Sequence, residues 1–168
     1  MNRSQSISCI FLLLFVPLFT SCNNSVRKAF EELQNMPATD YSYIIQPEYK
    51  SSKELTESKI KELFSADEVR VGASGFHSYD KTTKKQINER YWLKVVLLNS
   101  KAVEDFKDEV KMNNLGKEVA RSFLNDINNQ DKYTLIEITF VVQWNDGTQK
   151  QLKQNIFYSL PTLEVTNL

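Results

Sequence analysis

The residues best suited to chemistry in this chain are few. His77 is the only histidine, so neither a zinc site built on histidines nor a cysteine–histidine pair can be assembled. Asp80 follows three residues later, which formally allows a Ser-His-Asp arrangement. A lone histidine near a strand end, beside a turn aspartate, is ordinarily a surface residue, and that is the reading given to His77. Glu104, Asp105, Asp108 and Glu109 could offer two carboxylates at i, i+4 to a hard cation such as calcium. Interleaved Lys101, Lys107 and Lys111 instead suggest a solvated helix face. With 4 glycines in the whole chain there is no glycine-rich phosphate loop. The expectation is no catalytic residue, no metal and no cofactor.

A second set mixes charge with rings. Lys81, Lys84, Lys85, Arg90 and Lys94 lie near Tyr79, Tyr91 and Trp92, an interleaving found in nucleic-acid and polysaccharide binders. Asp80 and Glu89 dilute it, and strand alternation divides it between two faces. The basic residues read better as protection of an exposed sheet edge. The full chain balances 21 basic against 21 acidic residues, so no general field draws in nucleic acid.

The amino terminus is the most informative segment. Ile10 to Phe19 is apolar apart from Pro17, follows a short start carrying only Arg3, and ends in Thr20-Ser21. Such a stretch of about ten residues is too short to span ~30 Å of hydrocarbon and reads as a removable export signal. Phe19-Thr20-Ser21-Cys22 resembles the lipobox of bacterial lipoproteins, with Phe19 where the family usually has Leu. The resemblance covers residues 1 to about 24. It implies that Cys22 is acylated, becomes the first residue of the mature protein and holds it to a membrane. Family rules for Gram-negative lipoproteins further read Asn23-Asn24 as releasing the protein to the outer membrane. The only other cysteine, Cys9, lies in the discarded leader, so an intrachain disulfide is not expected in the mature protein.

Without the leader about 150 residues remain, enough for one domain with one core. Residues 1–21 are assigned to the signal, 22–50 to a lipid-anchored helix and extended strap, and 51–168 to a single domain. Val26, Ala29, Phe30 and Leu33 fall at i, i+3, i+4 and i+7, a short amphipathic helix closed by Met36-Pro37. Asp40–Pro47 has no helical period and reads as an extended strap or edge strand. Ser51-Ser52-Lys53-Glu54 fits a capping box opening a helix to about Phe64 that buries Ile60, Leu63 and Phe64.

From Val69 the period becomes two. Val69, Val71 and Ala73, then Ile87, Tyr91, Leu93, Val95 and Leu97, define the faces of a first hairpin. In 100–130 the apolar stripe changes face, since Val103, Phe106 and Val110 lie nearly opposite Leu115, Val119, Phe123 and Ile127 at about 100° per residue. The spacing predicts two helices broken near Lys111–Asn114, with cap chemistry from Asn113-Asn114. In the last hairpin, a three-residue loop Asn145-Asp146-Gly147 pairs Phe140 with Leu152 and Ile136 with Ile156, with Gly147 left-handed. The expected fold class is α+β: a two-layer sandwich whose four-stranded, mostly antiparallel sheet of two hairpins carries helices on one face.

Phe76, Trp92 and Val96 fall on the nominal solvent face of the first hairpin. Either the 51–64 helix or the Tyr41–Ile45 strap covers them, or they meet a partner. The sequence reading is therefore a non-enzymatic, lipid-anchored envelope protein that binds or scaffolds an envelope protein or glycan. An inhibitor or immunity lipoprotein that binds one protein, and a hydrolase of envelope polymers, are the alternatives.

Overall fold

The computed structural model describes residues 25–32, 34–35 and 38–168. Cys22, and the helix closure expected at Met36-Pro37, lie outside these residues. By internal contact the chain divides into two units, Met1–Thr39 with Lys81–Lys85, and Asp40–Asp80 with Gln86–Leu168. In the first unit residues 25–32 are helical, and Arg27 Nε pairs with Glu31 Oε1 at 3.0 Å across one turn.

The second unit carries α1 (Lys53–Leu63), β1 (Glu68–Tyr79), β2 (Gln86–Leu98), α2 (Glu109–Leu124), β3 (Leu135–Asn145), β4 (Gln149–Ser159) and β5 (Glu164–Thr166). The strands follow chain order across one sheet, and this is an α+β fold. The sheet has five strands rather than four, because the short β5 adds to β4. Three strand pairings are antiparallel, whereas β2 and β3 run parallel, since the connection through α2 returns the chain to the end at which β2 began.

The period-two pattern holds for the residues that lie beneath the two helices. Val69, Val71, Leu93, Val95, Leu97, Ile136, Ile138, Phe140, Ile156 and Tyr158 are buried on one face, beneath Ile60 and Phe64 of α1 and Met112, Val119 and Phe123 of α2. Only six residue pairs join β2 to β3, from Leu93↔Ile136 to Leu98↔Val141. The far ends of the two hairpins therefore extend beyond the seam in opposite directions. Ile87, assigned to the core face, is exposed, because the β1–β2 register shifts between Phe76 and Ser78 and Asn88 takes a left-handed φ of 55°.

Helix α1 begins one residue later than the capping box implies. Ser52 is the N-cap and its Oγ accepts from Leu55 N–H at 3.2 Å. The Glu54 carboxyl is held below its ordinary value by its own N–H and the Ser52 hydroxyl. Ile60 and Phe64 are buried, while Leu63 is exposed.

Residues 100–130 hold one helix, not two. Asp108 starts α2 by accepting from Lys111 N–H at 3.0 Å, and Asp105 Oδ1 accepts from Lys107 N–H at 2.8 Å in the preceding turns. Such side-chain bonds compete with helix formation. Val103 and Phe106 reach the core from this irregular segment, which explains the change of apolar face. Asn113 and Asn114 lie within α2, where Gly116 lets Tyr158 approach. A Cβ on Gly116 would stand 2.1 Å from the Tyr158 oxygen.

The β3–β4 register is Phe140↔Gln154, Ile138↔Ile156 and Ile136↔Tyr158, so the loop is Asp146-Gly147-Thr148. It lies two residues from the expected pairing. Both registers keep the apolar faces together, but this one sets Ile138 against Ile156 and lets Asn145 Oδ1 accept from Gly147 N–H at 3.0 Å. Gly147 has φ of +101°, as the left-handed loop position requires.

The strap is irregular backbone rather than an edge strand. Asp40 N–H donates to Gln86 Oε1 and Gln86 Nε2 donates to the Asp40 carbonyl, at 3.2 and 2.7 Å. Further along, Tyr133 donates to the Ile45 carbonyl at 2.9 Å and Asn129 bridges the Gln46 carbonyl and Glu48 N–H. The strap thus runs on the same side of the sheet as the helices.

Candidate functional site

The opposite face of the sheet carries neither α1 nor α2. On it, β2 contributes Trp92, Lys94, Val96 and Leu98, β3 contributes Glu137, Thr139 and Val141, and β4 contributes Asn155 and Phe157. Alternation dictates this set, since each residue neighbours a core-facing one.

Glu137 is the unexpected member. A carboxylate on the outer face of a sheet ordinarily stays in water, yet Glu137 is 2% exposed. Trp92 Nε1–H donates to its Oε2 at 2.8 Å, Lys94 Nζ contacts both oxygens at 2.9 Å, and the Thr139 hydroxyl meets Oε1 at 3.0 Å. Thr139 also bonds the Asn155 side chain at 3.2 Å. The Trp92 ring packs edge-on against Phe157 with centroids 6.0 Å apart. The carboxylate is surrounded by donors, and the lysine supplies the opposite charge that burial demands. No lone pair is left pointing at an open space, so the group is occupied in holding strands together.

This network decides how Trp92 is buried. It is 7% exposed, but neither α1 nor the strap covers it, because both pack on the other side. Its own sheet neighbours enclose it: Glu137 binds the indole nitrogen and Phe157 meets the ring. Of the three residues singled out on this face, Phe76 is 51% exposed, Val96 is half-buried and Trp92 is buried.

Beyond Trp92 the face opens into a shallow groove of about 170 Å³. Val96, Leu98 and Val141 make its floor, and Glu68, Arg70, Gln143 and Gln151 surround it. Arg70 Nε is paired with Glu68, which holds the Glu68 carboxyl below its ordinary value. This groove was not readable from the sequence, because it needs the β2–β3 parallel register to bring Val141 beside Leu98.

His77 sits among rings. Tyr41, Tyr43 and Tyr79 meet it edge-on with centroids 5.8, 6.2 and 5.3 Å away, and the Tyr43 oxygen lies 3.4 Å from Nδ1. It pins the strap to β1. The acidic run does not form one helical face. Glu104 pairs with Lys111 at 3.0 Å, and Asp105 and Asp108 accept backbone N–H groups. Among the described residues no group of three or more His, Cys, Asp or Glu is placed to hold a metal ion. Among the same residues no helix is long and apolar enough to cross a membrane. Of the basic set near the first hairpin, Lys94 is committed to Glu137 and Arg90 is exposed opposite Phe76.

No protein-family model, curated protein or solved structure matches the chain.

Proposed function

We propose that the protein is a lipid-anchored, non-enzymatic binding module of the cell envelope, acylated at Cys22 and carried to the outer membrane, which presents the face of its sheet opposite α1 and α2 to one envelope protein. The groove over Val96, Leu98 and Val141 carries this reading. An apolar floor inside a rim of arginine, glutamate and glutamines is the anatomy of a protein interface, in which the centre is desolvated and the rim stays wet. Phe76 extends the apolar surface toward the far end of the first hairpin. Trp92 supports the floor from within rather than acting as the anchor. The non-enzymatic part of the reading is supported by Glu137, whose oxygens are all engaged, and by the ring-packed His77.

The test is a photo-crosslinking residue at Val96, compared with one at exposed Leu55 on α1, in the full chain in intact cells. A discrete crosslinked product from Val96 alone is expected. Equal products, or none, would remove the groove as the binding face. Cys22→Ala tests the anchor separately: the protein should leave the membrane fraction or accumulate as precursor. Normal processing and unchanged membrane association would sink the lipoprotein reading, and turnover of a cell-wall or glycan substrate would overturn the non-enzymatic one.

A further inference from the structure

We infer that the helix over residues 25–32 lies in the surface of the bilayer, with Val26, Ala29 and Phe30 turned into the lipid. The inference rests on the reading of Cys22 as the lipid anchor and adds a second contact to it. At about 100° per residue, Ala29, Val26 and Phe30 occupy an arc of roughly 100°, and Arg27, Glu31, Lys28 and Glu32 fill the rest of the circumference. The two large side chains of the arc are exposed, Val26 at 57% and Phe30 at 62%. Arg27 and Glu31 neutralise one another on the opposite side.

The occupant follows from the position of the helix in the chain. Cys22 precedes Val26 by four residues, a span of at most about 14 Å. An acyl group at Cys22 therefore holds the stripe within reach of the interface at every moment. Under such tethering the second contact is intramolecular, and a stripe too small to bind lipid alone becomes sufficient. Laid flat, the helix fixes the direction in which the chain leaves the membrane.

The chain offers a direct test, because its only other cysteine, Cys9, precedes the cleavage point. A cysteine introduced into the mature, acylated protein is then its one free thiol. Nitroxide labels at Val26→Cys, Ala29→Cys, Phe30→Cys, Lys28→Cys, Glu31→Cys and Glu32→Cys would be read in the full acylated chain. The membrane is a protein-free vesicle of phosphatidylethanolamine and phosphatidylglycerol. Expected is a helical period: labels at 26, 29 and 30 shielded several-fold from a water-soluble relaxation agent and exposed to oxygen, with the reverse at 28, 31 and 32. Uniform access to the aqueous agent in a protein whose Cys22 is acylated would overturn the inference and leave the anchor standing. An alkylatable Cys22 in a protein that does not sediment with vesicles would overturn both. Shielding that arises in native envelopes but not in the vesicles would assign the stripe to a protein and overturn the lipid.

Discussion

Trp92 and Glu137 are joined by a 2.8 Å hydrogen bond across the parallel seam of the sheet, one strand apart and both almost fully buried. The bond lies beside the Lys94–Glu137 pair, which are direct register partners. The parallel pairing in the described sheet is thus marked by a buried charged group whose partners are met in this register. A slip by one residue would turn Glu137 into the apolar core.

Glu137→Ala should cost about 3 kcal/mol, because it strands the Lys94 ammonium and the indole N–H. Trp92→Phe, which keeps a ring and loses the donor, should cost about 1–2 kcal/mol. Replacing both charged partners, as Lys94→Met with Glu137→Leu, should recover the part due to the stranded ammonium and leave about 1–2 kcal/mol for the indole N–H that still lacks an acceptor. Urea unfolding of the three variants distinguishes this order. A double variant no better than Glu137→Ala would mean that the cost is one of packing, not of an orphaned charge.

At Gly116 a side chain has nowhere to go. Gly116→Ala gains helix propensity of about 1 kcal/mol but drives Cβ into Tyr158, whose hydroxyl donates to the Asn113 carbonyl at 2.9 Å. A net loss of about 2 kcal/mol is expected. Tyr158→Phe in the same chain should recover part of it by removing the clashing oxygen, an interaction readable in a double-mutant cycle.

Gly147 isolates backbone strain from packing. A Cβ there would meet nothing within 4 Å, so only its φ of +101° opposes substitution. Gly147→Val should lower stability by about 1–2 kcal/mol and Gly147→Asn by less. Equal midpoints for both variants and the parent would show that the loop can relax its backbone freely.

Alkaline pH should unfold the domain. Burial pushes the Tyr49 and Tyr133 hydroxyls up to about 12 from an ordinary value of 10.0, and raises Tyr158 as well. The folded state favours the neutral phenol, so this stability is complete below the unfolded value and is lost as pH rises through the folded ones. Tyrosinate absorbance should show these three rings titrating only together with loss of helical circular dichroism. Smooth titration of all 7 tyrosines in a folded protein would contradict their burial.

The core was legible in the sequence wherever local period and burial coincide: Val69 and Val71, Leu93, Val95 and Leu97, and Ile136, Ile138 and Phe140 face inward as alternation predicts. Asx bonding at Asp105 and Asp108 replaced a helix whose apolar spacing looked sufficient, because periodicity records which residues are buried and not the backbone that buries them. Strand β5 has three residues and no pattern long enough to read. Glu137 and Thr139 looked like the solvated half of an alternating strand, and nothing local distinguishes a polar residue in water from one roofed by a tryptophan 45 positions away. The groove floor was invisible for the same reason.

The short parallel seam has a consequence for how the chain assembles. Each hairpin pairs strands that adjoin in sequence, whereas Lys94 and Glu137 are 43 residues apart. Closing that loop must be compensated before its contacts contribute, so folding kinetics should show local hairpin formation ahead of a slower docking step. Every crossing between the two halves of the sheet is made at that docking. The irregular stretch before α2 then serves chiefly to raise the concentration of one half near the other. Cut there, the protein becomes a pair of complementary fragments, α1–β1–β2 and α2–β3–β4–β5, whose reassociation rebuilds six residue pairs, one buried carboxylate and the core they share.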